Sequence, residues 1–297
     1  MSRAGRTALL LVNATSGREK DAKAYIDALQ ATGITLLRRD VPRSRMAEMI
    51  TSMRHEVDCV VIAGDDGTLS AGAIALRDTG LPLGILPIGA HNDLAQTLSI
   101  PIDPKGAAAV IDEAAVRAVN LGSVNGRPFF TVASVGLTVE GARWLSRATK
   151  RNMGRLRFAV VALRLLIQQR RFSAIIRCGA VVHRVRTVQI TIGNGRLYSG
   201  GMAASGPGDT EDTRLSIYSL EPPRRWGLIY MSRLFGGEAD PVSTAAVRTA
   251  FCSVVEVVTR LPQQILADGE VVTVTPARFS VLPRAVRVYA PARTEEV

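Results

Sequence analysis

The sequence has little of several things that would announce a function class. Its three cysteines, Cys59, Cys178 and Cys252, lie far apart in apolar surroundings. They are too few and too scattered for a disulfide framework or a zinc site, and read as reduced core residues of a cytosolic protein. Three histidines, His55, His91 and His183, show no metal-ligand spacing. Aromatic residues make up only 5% of the chain, and no nucleic-acid motif or aromatic platform accompanies its charge, which argues against a nucleic-acid partner. The longest apolar stretch, Phe158 to Ile167, is broken by Arg164 and falls far short of the ~20 residues a membrane span needs. Near the start, Ala8 to Val12 is too short for a secretory apolar region and reads as a first strand. No G-x-x-x-x-G-K-S/T loop and no G-x-S-x-G elbow occurs, so neither a P-loop nucleotidase nor a serine hydrolase is in view.

What is present is basic charge and a change of texture. The net charge of +11 favours anionic contacts, whether phosphate-rich ligands or lipid headgroups. With 297 residues, 47% of them hydrophobic, the chain is long enough for two cored domains. Up to about residue 118, short apolar runs alternate with amphipathic segments. Candidate strands are Ala8–Asn13, Ile34–Arg38, Asp58–Ala63 and Leu83–Pro87; candidate helices are Glu19–Thr32, Arg45–Arg54, Leu69–Asp78, Asn92–Leu98 and Pro104–Val116. That order predicts an α/β domain over residues 1–118 with a largely parallel sheet and ligand loops at the carboxyl ends of its strands. Over residues 119–297 the texture is β-rich, with turn signals at Asn125-Gly126, Asn194-Gly195 and Asp268-Gly269 and amphipathic interruptions at Glu140–Arg171 and Arg224–Phe235. This half predicts a sandwich-like domain with helical insertions, whose last strand is open to returning to the first domain.

The most informative stretch is Val60-Val61-Ile62-Ala63-Gly64-Asp65-Asp66-Gly67-Thr68-Leu69, an apolar run that breaks into a Gly/Asp turn and resumes as a helix. Glycines let the backbone approach a ligand closely, and the N–H groups opening a helix favour phosphate. Other segments follow the same logic: Val12-Asn13-Ala14-Thr15-Ser16-Gly17, Pro87-Ile88-Gly89-Ala90-His91-Asn92-Asp93, Gly193-Asn194-Gly195 running on to Gly200-Gly201-Met202, Glu211-Asp212-Thr213, and Asp268-Gly269-Glu270. In this order they resemble the N-P-x-S-G, G-G-D-G-T, P-x-G-T-x-N-D, G-N-x-x-x-x-G-G, D-D-G-x-L-D and D-G-E motifs of the diacylglycerol kinase and sphingosine kinase-like lipid kinases. NAD kinases share only the glycine-rich loop. The resemblance covers residues 8 to about 288.

The resemblance implies an ATP- and Mg²⁺-dependent lipid kinase that transfers the γ-phosphoryl group to the hydroxyl of a membrane lipid such as diacylglycerol or a sphingoid or ceramide-like alcohol. By position, Glu270 is the base for the lipid hydroxyl and Asp66 belongs to the nucleotide and metal site. Asn13, Ser16, Gly17, Gly64, Asp65, Gly67, Thr68, Gly89, Asn92 and Asp93 line the ATP loops, and Asp212 helps hold a structural Mg²⁺. Each residue type also has an ordinary structural reading. Asp268-Gly269 fits a type I′ hairpin turn, Asp212 a solvated loop acid, and Asn13 and Ser16 turn or capping roles. Departures from the motifs gather at the ATP loops: Asp65 and Ala90 replace Gly and Thr, Ser70-Ala71 replaces Asn-Glu, and Thr213 replaces Gly. Asp65 adds a carboxylate beside the phosphates, and would be strained if that position required positive φ. A kinase-fold binding protein with little turnover therefore stands as the alternative. Between Arg143 and Arg171, nine basic residues occur without an acid and interleave with apolar ones. This suits peripheral contact with an anionic membrane, at the cytoplasmic face, and equally a core-packed helix with a solvated Arg face. Homodimerisation is left open.

Overall fold

The computed structural model describes residues 5–13, 19–89, 92–136, 171–194, 213–221 and 246–292. In the first half, β1 (Thr7–Asn13), α1 (Glu19–Gln30), β2 (Thr35–Val41), a 3₁₀ turn at Arg43–Arg45, α2 (Met46–Ser52), β3 (Cys59–Gly64), α3 (Asp66–Thr79), β4 (Leu83–Pro87), α4 (Asp93–Thr97) and α5 (Pro104–Glu113) follow one another. The parallel order β2-β1-β3-β4 means that the chain steps outward from β1 to β2 and then back across β1 to β3 and β4. Right-handed crossovers then put α1 on one face and α2 and α3 on the other. The packing agrees, with α1 against α5 and α2 against α3. Covered on both sides, β3 and β4 are buried along their whole length, which is why their sequences read as unbroken apolar runs.

The second half is antiparallel. It comprises β5 (Val116–Val124), β6 (Arg127–Phe129), β7 (Val132–Val135), β8 (Phe172–Cys178), β9 (Val181–Thr187), β10 (Gln189–Asn194), β11 (Leu215–Glu221), β12 (Ala246–Cys252), β13 (Val254–Thr259), β14 (Gln264–Ala267), β15 (Glu270–Val274) and β16 (Ala277–Tyr289). One sheet runs β12-β11-β10-β7-β14-β15; the other continues the parallel sheet through β16 into β13, β8 and β9. Between them lies a second core around Phe129, Phe279, Val135, Ile192, Val255 and Ile265. Alternation of buried and part-exposed positions in β7 and β13 is the signature of such a half-covered sheet. Strand β16 ties the halves together. It pairs with β13 near its start, breaks register against β5 between Leu282 and Val286, and reaches β4 in parallel at Val288↔Leu83. The helical insertions expected at Glu140–Arg171 and Arg224–Phe235 lie outside the described residues, apart from Arg171.

One expectation is overturned. Cys178, at the end of β8, and Cys252, at the end of β12, are joined in a disulfide, with Cα atoms 5.8 Å apart. Their separation of 74 residues hid the pair, because it is the stacking of the two sheets that brings the strand ends together. Among the described residues only Cys59 is a free cysteine, buried in β3, where desolvation pushes its thiol up to about 11.

Candidate active site

The sheet order changes direction between β1 and β3, and the carboxyl ends of the strands at such a switch point are the usual ligand position in an open α/β sheet. Asn13 closes β1 there, buried and in register with Val41 at the end of β2. Gly64 ends β3 opposite Pro87 of β4, so the Asp65 and Gly89 loops lie side by side. They touch closely: a Cβ on Gly89 would stand 2.8 Å from Asp65 Cβ and 2.9 Å from Asp65 Cα. Glycine is required at that position by contact, not by backbone angle.

Asp65 is the N-cap of α3, with φ −97° and ψ 174°. This is extended backbone open to any residue, so the strain anticipated for a non-glycine residue is absent. The Asp65 carboxylate accepts from Thr68 N at 3.0 Å and Thr68 Oγ1 at 2.6 Å, which suits an Asp at this position better than a Gly. Its Oδ1 also receives the guanidinium of Arg43 at 2.7 Å. Arg43 then extends to Thr68 Oγ1, 3.1 Å from its Nε, and to Glu270 Oε1, 2.6 Å from its Nη1.

Asp66, one residue on, faces the other way. Its two carboxylate oxygens accept the backbone amides of Asp93 and Leu94, each at 3.0 Å, and so fasten the start of α4 to the start of α3. Burial pushes its carboxyl up to about 6 from 3.8; nearby Asp93 and Asp268 add to the rise, and the two amides oppose it. Asn92, just before α4, sits in the left-handed region at φ 53° and donates through Nδ2 to the carbonyls of Pro87 and Gly89. Its Oδ1 is buried without a partner. A buried amide oxygen unmatched beside a glycine-walled loop fits a donor or cation supplied from outside the chain.

Glu270 arrives from the other domain on the β14–β15 hairpin. Asp268 and Gly269 have φ of 45° and 84°, the two left-handed residues of a type I′ turn. The turn is more than a reversal. The Asp268 carboxylate is buried and accepts the amides of Phe130, Thr131 and Val132 at 2.7, 3.0 and 3.1 Å, the Thr131 hydroxyl at 2.5 Å, and the hydroxyl of Ser70 from α3. This anchor presses the hairpin against the first domain: a Cβ on Gly67 would meet the Asp268 carbonyl at 3.2 Å and Arg43 Nη1 at 3.0 Å. Close behind, buried Asn194 donates to the carbonyls of Asn120 and Phe130.

The structure thus gathers Asn13, Gly64, Asp65, Asp66, Gly67, Thr68, Gly89, Asn92, Asp93 and Glu270 at the carboxyl ends of β1, β3 and β4. Ser16, Gly17 and Asp212 lie outside the described residues. Sequence reasoning missed Arg43, Ser70 and Thr131, and missed the anchoring role of Asp268. Only Ser70 carried a signal, as the residue standing where the motif has Asn.

Comparison with known proteins places the chain in a family. The diacylglycerol kinase catalytic domain profile matches residues 7–124, and the YegS C-terminal NAD kinase beta sandwich-like domain profile matches residues 131–290. A Pseudomonas aeruginosa protein named "Probable lipid kinase YegS-like" is 30% identical, over 96% of this chain and 94% of its own length. The diacylglycerol kinase of Mycobacterium tuberculosis is 28% identical over 79% of this chain and 77% of its own. An uncharacterised protein of Synechocystis sp. is 28% identical over 78% of this chain, which spans only 54% of that relative's length. A crystal structure of a diacylglycerol kinase from Bacillus anthracis superposes with a TM-score of 0.70, covering 96% of this chain and 97% of its own at 18% identity, a likeness of fold. With both domain profiles matched in order along the chain and a YegS-like relative 30% identical over nearly all of it, the chain belongs to the diacylglycerol kinase-like family of lipid kinases.

Proposed function

We propose that the protein transfers the γ-phosphoryl group of ATP to the hydroxyl of a membrane lipid alcohol such as diacylglycerol or a ceramide-like or sphingoid alcohol. The observation that carries this reading is the meeting of Glu270 with the Asp65–Thr68 loop through Arg43, which lies 227 residues from Glu270 in the chain. In-line transfer needs a base beside the phosphate site and little other covalent chemistry from the protein. Glu270 is half exposed; Oε1 takes Arg43, and Oε2 is the oxygen that receives the lipid hydroxyl proton. Gly64, Gly67 and Gly89 let the loops pack closely against Thr68, Arg43 and Asp65, and Asn92 Oδ1 offers an unmatched acceptor.

Mg²⁺–ATP, when bound, supplies the electrophilic phosphorus and neutralises the charge that develops on it. Among the described residues no group of three or more His, Cys, Asp or Glu could hold a metal by itself. Mg²⁺ at a phosphate site commonly takes only one or two carboxylates; Asp66 is the candidate its motif supplies, each of its oxygens keeping a second lone pair beside the amide it accepts. Asp212 is retained as a second candidate through its motif. Peripheral contact with an anionic membrane through Arg143–Arg171 belongs to the same reading. No helix of the described residues is long and apolar enough to cross a bilayer.

The test is phosphate transfer from labelled ATP to diacylglycerol, monoacylglycerol, ceramide and sphingosine, with Glu270→Gln as control. The variant should keep its fold and ATP affinity and lose turnover by ~10²-fold or more. The second reading, a nucleotide- or lipid-binding protein without turnover, draws on the extra carboxylate of Asp65. A wild type that binds ATP and phosphorylates no lipid would establish it.

A further inference from the structure

Asp65 raises a problem that the structure answers. Where the family motif has glycine, this chain puts a carboxylate at the mouth of a loop that has to receive a triphosphate, and a second carboxylate, Glu270, stands close by. Two fixed negative charges there oppose a polyanion unless a cation is built in. Arg43 is that cation. It comes from the 3₁₀ turn after β2, far from either motif, and its three nitrogens each take one partner: Nη2 to Asp65 at 2.7 Å, Nη1 to Glu270 at 2.6 Å and Nε to Thr68 Oγ1 at 3.1 Å. A planar guanidinium fixes the angles between its partners, which an ammonium does not. Gly67 leaves room for the crossing, since a Cβ there would approach Nη1 to 3.0 Å.

We propose that Arg43 is a positioning residue paired with Asp65: it neutralises that carboxylate for ATP binding and, through its other amine, sets the orientation of Glu270 toward the lipid hydroxyl. The two effects are separable. The first acts on nucleotide affinity and exists only because Asp65 is present; the second acts on turnover and exists whatever stands at position 65. This inference rests on the kinase reading for its second half alone.

The experiment is a cycle of Arg43→Gln, Asp65→Gly and the double variant, with ATP affinity measured by calorimetry in Mg²⁺ and kcat measured on the best lipid. Arg43→Gln should weaken ATP by about tenfold, the scale of one unmatched charge near the ligand. Adding Asp65→Gly should restore affinity to near the wild-type value while kcat stays about tenfold low, because Glu270 remains unguided. A side chain that merely supports the fold would not show affinity rescue by removal of a neighbouring carboxylate. Arg43→Lys keeps the charge in the same space and should bind ATP almost normally, which separates lost charge from lost packing should the Gln variant fold poorly. Unchanged ATP affinity in Arg43→Gln, or no recovery in the double variant, overturns the proposal whether or not a lipid is phosphorylated. Wild-type ATP binding without turnover overturns the kinase reading instead and leaves the affinity cycle to decide the pairing. A wild type that binds no ATP sinks both.

Discussion

Replacing Asp268 by Asn changes one oxygen into an NH₂ group and little else, and the backbone is not disturbed, because Asn tolerates the left-handed φ of 45° found there. The consequence should nonetheless be large. Asp268 Oδ1 accepts from Thr131 N, Thr131 Oγ1 and Val132 N, and Oδ2 from Phe130 N and Ser70 Oγ. Every partner is a donor, or in the case of the hydroxyls able to act as one. An amide placed there must point its NH₂ at a backbone N–H whichever way it flips, so at least one buried donor loses its acceptor. Hydrogen bonds to a charged group contribute about 1.5–3 kcal/mol each and a stranded buried N–H costs a further ~1–3 kcal/mol. Asp268→Asn should therefore destabilise by about 3–5 kcal/mol, a large part of the ~5–15 kcal/mol that holds a typical domain folded. The damage should be local before it is global. Amide hydrogen exchange should show Phe130, Thr131 and Val132 losing protection, and turnover should fall because Glu270 sits on the loosened hairpin. Ser70→Ala, which removes only the bridge to α3, should show the milder form. Asp268→Asn with unchanged protection at these amides and an unchanged urea midpoint would refute the anchor and reduce Asp268 to a turn residue.

Asp66 sets a pH dependence. Its folded value of about 6 lies above the ordinary 3.8, so the stability it contributes is fully present below about pH 4 and is lost as pH rises through about 6. Wild type should weaken over that window relative to Asp66→Asn in urea titrations at a series of pH values; parallel curves would exclude the buried carboxyl. In oxidised protein unfolded without reductant, one thiol, Cys59, should titrate, and three after reduction; the bridge between Cys178 and Cys252 closes 74 residues and should contribute about 4 kcal/mol in the chain-entropy account. Replacing Arg147, Lys150 and Arg151 by Gln should weaken sedimentation with anionic vesicles, and salt should weaken it in the wild type over a Debye length of ~8–10 Å. Salt-insensitive or lipid-independent sedimentation removes membrane contact from the functional reading.

The sequence by itself determined what depends on a few neighbouring residues. Unbroken apolar runs marked β3 and β4, because strands covered on both faces have no polar side to show. Asn125-Gly126 and Asp268-Gly269 marked reversals, and both pairs take the positive φ that only such residues accept readily. Glycines after strand ends marked the loops of the site, and the order of the motifs marked the family. The tertiary structure alone decided how distant pieces meet. That Asp65 caps α3 in extended backbone, that Arg43 spans Asp65 and Glu270, that Asp268 gathers the amides of residues 130–132, and that Cys178 reaches Cys252 all follow from sheet register and from β16 passing between the two halves. None of these contacts has a sequence period or a fixed spacing, because an ion pair or hydrogen bond specifies a distance of about 3 Å in space and places no constraint on the length of chain between its partners.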